Sequence, residues 1–127
     1  MNKKIVGLQR KREIAAANLS HGQKRLLEIV RAVSAQPKVL ILDEPATGLT
    51  QNELKALHDL IIFLKAKGMA VVLIEHNVDF LMGLADLVTV LESGKVIAEG
   101  EPEAIRNNPR VIEAYLGRTD ISELVSE

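Results

Sequence analysis

The sequence predicts an α/β layered sheet with parallel strands flanked by helices, followed by a β-hairpin and small helices. Three observations carry that expectation. Two stretches repeat apolar residues at helical spacing, each opened by a Ser/Thr-x-x-Gln/Glu pattern. Two short runs, "KVLIL" and "MAVVLI", are apolar on both faces, as strands buried in a parallel sheet are. Their order, helix, strand, helix, strand, is that of a layered α/β unit.

The first helical pattern runs from Ser20 to Gln36, with Leu26, Ile29, Val30 and Val33 on one face. Ser20 with Gln23 fits a capping box, and Pro37 ends the helix. Residues 38 to 42 form the first strand, which stops at "DEP". Thr50 and Glu53 make a second capping-box pattern, and Leu54, Leu57, Ile61 and Leu64 mark one face of the helix it opens. Gly68 supplies the stop. The second strand, residues 69 to 74, ends in "EHN", and a short helix follows around Val78 to Leu84. "DLVTVLESGKVIAEG" reads as two strands turning at Ser93-Gly94. Small helices are expected near Glu103 to Arg106 and from Pro109 to Leu116, with a frayed tail after Gly117.

Composition narrows the function classes. The 127 residues are 47% hydrophobic and 26% charged, with a formal charge of −1, which describes a globular chain. The early basic residues Lys3, Lys4, Arg10, Lys11 and Arg12 read as a solvated helix face, and nucleic acid is not an expected partner. No cysteine is present, which excludes disulfides and thiolate metal sites. No apolar run approaches the ~20 residues of a membrane helix, and "MNKKIVGLQRKR" has no apolar signal core.

Ligands of open parallel sheets bind beyond the carboxyl ends of the strands, where "DEP" and "EHN" fall. Asp43 and Glu44 leave the first strand together and alternate in direction. One carboxylate could hold a hard cation such as Mg²⁺ while the other serves a water nucleophile. Taken alone, the pair reads first as an ordinary solvent-facing strand exit, and His76 as an ordinary histidine at a strand end. Ser20 reads in two ways as well, as a helix cap or as part of an anion site with Gly22. The order of the three segments is far more specific than any one of them.

In that order the chain resembles the nucleotide-binding subunit of ATP-binding cassette proteins. "LSHGQ" is similar to the family signature, "VLILDEP" to its Walker B segment, "ATGLT" to its D-loop and "LIEH" to its switch-histidine segment. The ending "VIAEGEPEAIRNNPRVIEAYLG" resembles importer subunits for branched-chain amino acids, with urea or amide importers close behind. The resemblance implies a layered P-loop NTPase fold. It implies that Asp43 organises a Mg²⁺ shell, Glu44 polarises the attacking water and His76 contacts the γ-phosphate of ATP. Ser20, His21, Gly22 and Gln23 would bind the nucleotide of a second, head-to-tail ATP-binding subunit. Transmembrane permease subunits, and indirectly a solute-binding protein, would be further partners, placing the protein in the cytoplasm on the inner face of the membrane.

Three departures from the family pattern matter. His21 stands where glycine is usual, which requires a negative φ there. Thr50 stands in place of the usual D-loop aspartate. No G-x-x-x-x-G-K-[ST] segment is present; the one Gly-Lys pair, Gly94-Lys95, is followed by valine. The resemblance therefore implies the C-terminal part of a longer subunit: residues 1–36 the end of a helical subdomain, 37–117 part of the catalytic core, 118–127 a tail. Such a piece alone is expected to be inactive and to expose apolar sheet and helix surface. The alternative is a non-catalytic fragment that only pairs with an intact subunit.

Overall fold

The structure, a computed structural model, describes residues 18–116. The basic N-terminal face and the tail expected after Gly117 lie outside those residues. The described residues fall into two compact units, one within Met1–Leu84 and one within Ala85–Glu127.

In the first unit, α1 (His21–Ser34), β1 (Val39–Asp43), α2 (Gln51–Ala66), β2 (Ala70–Ile74) and α3 (Val78–Met82) follow one another. Strands β1 and β2 pair in parallel, Val39 opposite Ala70 and Asp43 opposite Ile74. Apolar residues of α1 (Leu26, Ile29, Val30, Val33), α2 (Leu57, Leu60, Ile61, Leu64) and α3 (Phe80) form one core with Leu40 and Leu42 of β1. The opposite face of the sheet departs from the burial on both sides read from the apolar runs and shows the exposed apolar sheet surface that the family resemblance implied. Val39, Ile41, Val72 and Ile74 are about half exposed, so the strands are buried on one face only. Their all-apolar sequence belongs to strands covered on both sides.

Sequence and structure agree closely at the start of α1. The Ser20 hydroxyl accepts from the Gln23 N–H at 3.1 Å, and the Gln23 side chain accepts from the Ser20 N–H at 3.0 Å, a complete capping box. At the other end, Gln36 takes φ 54° and donates its N–H to the Val33 carbonyl, and Pro37 follows. Helix α2 ends in the same manner with a better residue: Gly68 at φ 85° donates to Lys65, and the Met69 N–H to Leu64. Its start departs from expectation. Thr50 caps the Glu53 N–H at 3.2 Å, but the Glu53 side chain does not return to close the box.

In the second unit, β3 (Val88–Glu92) and β4 (Lys95–Gly100) form an antiparallel hairpin. Ser93 and Gly94 both have positive φ, 50° and 77°, as a two-residue turn matched to strand twist requires. A bulge between Val90 and Leu91 shifts the register. Helices α4 (Pro102–Arg106) and α5 (Pro109–Val111) follow, and Val88, Ile105 and Val111 are buried in this unit. The helix expected through Leu116 continues as a π-helical turn over Ile112–Leu116. The Tyr115 hydroxyl donates to the Leu91 carbonyl, and Arg110 pairs with Glu92 at 3.0 Å.

Candidate functional site

Parallel pairing brings the ends of β1 and β2 side by side, and the chain leaves them in a constrained way. The Glu44 N–H donates to the Ile74 carbonyl at 2.7 Å, extending the ladder one residue beyond the strands. Glu44 itself has φ 47°, a left-handed backbone that a side chain rarely adopts. Alternation breaks at that residue. Asp43 keeps the strand geometry and is exposed on the same face as Ile41, while the Glu44 carboxylate meets His76, Nδ1 to Oε1, at 2.9 Å. Both side chains are more than a third exposed, so the pair is open to solvent and contributes little stability.

Two further groups hold this corner, and the sequence reading did not single out either. The Glu75 carboxylate accepts from the Ala46 N–H at 2.8 Å, pinning the segment after Pro45 to the end of β2. Arg25, one turn after His21, donates to the Glu44 carbonyl at 2.8 Å and lies 3.4 Å from the His21 imidazole. Its signal was the i, i+4 spacing from His21 on the helix.

The start of α1 forms a second cluster. Ser20 and His21 are exposed and Gly22 is buried. His21 lies in the first helical turn, without positive φ, so its side chain is accommodated where glycine is usual. Its ring lies over Gly48, 3.5 Å from where a Cβ would stand. Gln23 is engaged in the capping box. The structure thus brings Glu44 and His76 together at the strand ends, beside Asp43. It groups Ser20, His21, Gly22 and Gln23 at the start of α1, and Arg25 links the two sets.

No cluster of three or more His, Cys, Asp or Glu side chains among the described residues could cage a metal unaided. A lone exposed carboxylate such as Asp43 suits Mg²⁺, which keeps several waters and takes its other ligands from phosphates.

Comparison with known proteins decides the family. The ABC transporter profile matches residues 2–47, and the branched-chain amino acid ATP-binding cassette transporter profile matches residues 95–121. The high-affinity branched-chain amino acid transport ATP-binding protein LivG of Escherichia coli is 45% identical over 113 residues, 88% of this chain. The chain belongs to the ATP-binding cassette family. BraF of Pseudomonas aeruginosa, named for the same transport, is 44% identical over 81% of the chain. An ATP-binding cassette of an ABC transporter in its ADP conformation superposes with a TM-score of 0.74 at 34% identity. That match covers 91% of this chain and 47% of the solved one. A nucleotide-free cassette gives 0.74 at 32% identity over 89% of the chain. The cassette chain described here spans less than half of the curated relatives it matches, 44% of LivG and 41% of BraF. Its fold is the layered α/β fold of cassette ATPases, with parallel strands and flanking helices. No described helix is long and apolar enough to cross a membrane.

Proposed function

We propose that this chain carries the signature, Walker B and switch-histidine segments of the ATP-hydrolysing subunit of an importer for branched-chain amino acids. The observation that carries the chemistry is the 2.9 Å contact of Glu44 and His76 across the ends of β1 and β2. The importer class rests on the match of residues 95–121 and on the names of the relatives.

The roles follow from position. Asp43 would supply the one protein carboxylate to Mg²⁺, whose chemistry is to neutralise developing phosphate charge. Glu44 would accept the proton of the attacking water, held toward it by its strained backbone and by His76. His76 has its second ring nitrogen left to meet a phosphate oxygen. Ser20, His21, Gly22 and Gln23 would meet a nucleotide held by a second, head-to-tail subunit, where helix amides and dipole favour anions. Permease subunits in the membrane would receive the motion, with the cassette peripheral on the cytoplasmic face.

Alone, the chain is proposed to be catalytically silent, because no phosphate-cradling G-x-x-x-x-G-K-[ST] segment occurs in its 127 residues. The test is a chimera in which this chain replaces the part of LivG it matches. The chimera should hydrolyse ATP and restore leucine uptake to cells lacking LivG, and Glu44→Gln should abolish both while ATP still binds. A folded chimera that hydrolyses ATP equally well with Glu44→Gln would refute the assignment.

A further inference from the structure

The carboxylate of Glu53 occupies a position that capping does not explain. Thr50 caps its backbone N–H, yet the side chain turns away from Thr50 toward α1. Oε1 lies 3.5 Å from the Ser20 hydroxyl, which donates to it. Oε2 is buried and has no hydrogen-bond partner. The same carboxylate covers Gly22 so closely that a Cβ there would stand 1.3 Å from Oε2 and 2.2 Å from Cδ. A carboxylate oxygen without a donor is costly to bury, and the free N–H groups and positive end of α1 offset part of that cost. The chain has therefore put an anion of its own on the surface proposed to meet a phosphate.

We propose that Glu53 is a positioning residue that gates the amino end of α1, its carboxylate holding the Ser20–Gly22 surface until a phosphate displaces it. The proposal rests on the reading of Ser20 and Gly22 as phosphate contacts. Ser20 has a single hydroxyl proton, which cannot serve the Glu53 carboxylate and a phosphate oxygen at the same time. Two anions on one surface repel, so carboxylate and phosphate occupy it in turn. Glu53 hangs on a flexible side chain at the first turn of α2, directly after the "ATGLT" segment, so its departure would be felt there.

The full chain is titrated with tripolyphosphate while the amide signals of His21, Gly22 and Gln23 are followed by NMR. Glu53→Gln keeps the shape and an acceptor for Ser20 but removes the charge. It should bind at least ~10-fold more tightly than wild type, a modest fraction of the repulsion between close like charges. Equal affinities would overturn the gate and leave Ser20 and Gly22 as phosphate contacts. Silence of these amides in both proteins would overturn the gate and the phosphate reading together. A stability cycle checks the contact itself. Gly22→Ala, which must displace the flexible Glu53 carboxylate, should raise the unfolding midpoint less in wild type than in a Glu53→Ala background, where alanine only improves the helix. An equal change in both backgrounds would overturn the contact on which the gate depends.

Discussion

Gln36 and Glu44 share a left-handed backbone, at φ 54° and 47°, and the strain serves different ends. At Gln36 it merely closes α1, so Gln36→Gly should raise the unfolding free energy by about 0.5–1 kcal/mol in urea denaturation. Glu44→Gly should bring a similar gain in stability and, in the LivG chimera, complete loss of ATP turnover. A Glu44→Gly chimera that still turns over would show that the carboxylate facing His76 is dispensable. Ser20 has a subtler environment. Aspartate caps helices as well as serine does, but here it would stand against the Glu53 carboxylate. Ser20→Asp should therefore lower the thermal midpoint, and adding Glu53→Gln should recover most of the loss. The sequence named Asp43, Glu44, His76 and the Ser20 to Gln23 stretch. It did not reveal Glu53, Glu75 or Arg25 as structural partners. Each of these acts through an oxygen or nitrogen brought from another element, and no local pattern encodes such a meeting.

Elements were legible where their signals are local. The capping box of α1 and the Ser93-Gly94 turn both formed as read, because a few adjacent residues decide each. The second box failed at Glu53 because a long side chain can choose between its own helix end and a neighbouring surface. The π-helical turn at Ile112–Leu116 has no signature of its own in the residues. Helix α2 anchors the first unit: Leu57, Leu60 and Leu64 have no exposed surface. Leu60→Ala should cost about 2–5 kcal/mol, read from the shift of the urea midpoint. Gly68→Ala separates backbone from packing at the end of that helix. Nothing lies within 4 Å of a Cβ there, yet φ is 85°, so the loss should be near ~1 kcal/mol and purely conformational.

For the whole molecule, the face of β1 and β2 carrying Val39, Ile41, Val72 and Ile74 is the largest departure from a self-sufficient α/β unit. A parallel sheet ordinarily has both faces covered. Ile41→Lys should make the isolated chain more soluble, measured by light scattering, without lowering its urea midpoint, since the side chain is 66% exposed. The same chain should show no ATPase above background. Turnover near ~1 s⁻¹, the low end of common enzyme rates, would contradict that. The sequence disclosed the fold class because period and order are properties of the chain itself. The exposed face was foreseeable only through the family resemblance, since an apolar strand does not record what covers it.

The ladder bond from Glu44 to Ile74 also dictates when the site can exist. Glu44 and His76 are separated by 32 residues, and a parallel crossover must close before they can meet, which makes such contacts slow to form. During synthesis, a nascent chain that has released β1 and α2 but not yet β2 has the carboxylate with nothing to orient it. Assembly of the Glu44–His76 pair therefore waits on closure of the β1–α2–β2 crossover, and every ribosome must finish the second strand before the corner becomes competent.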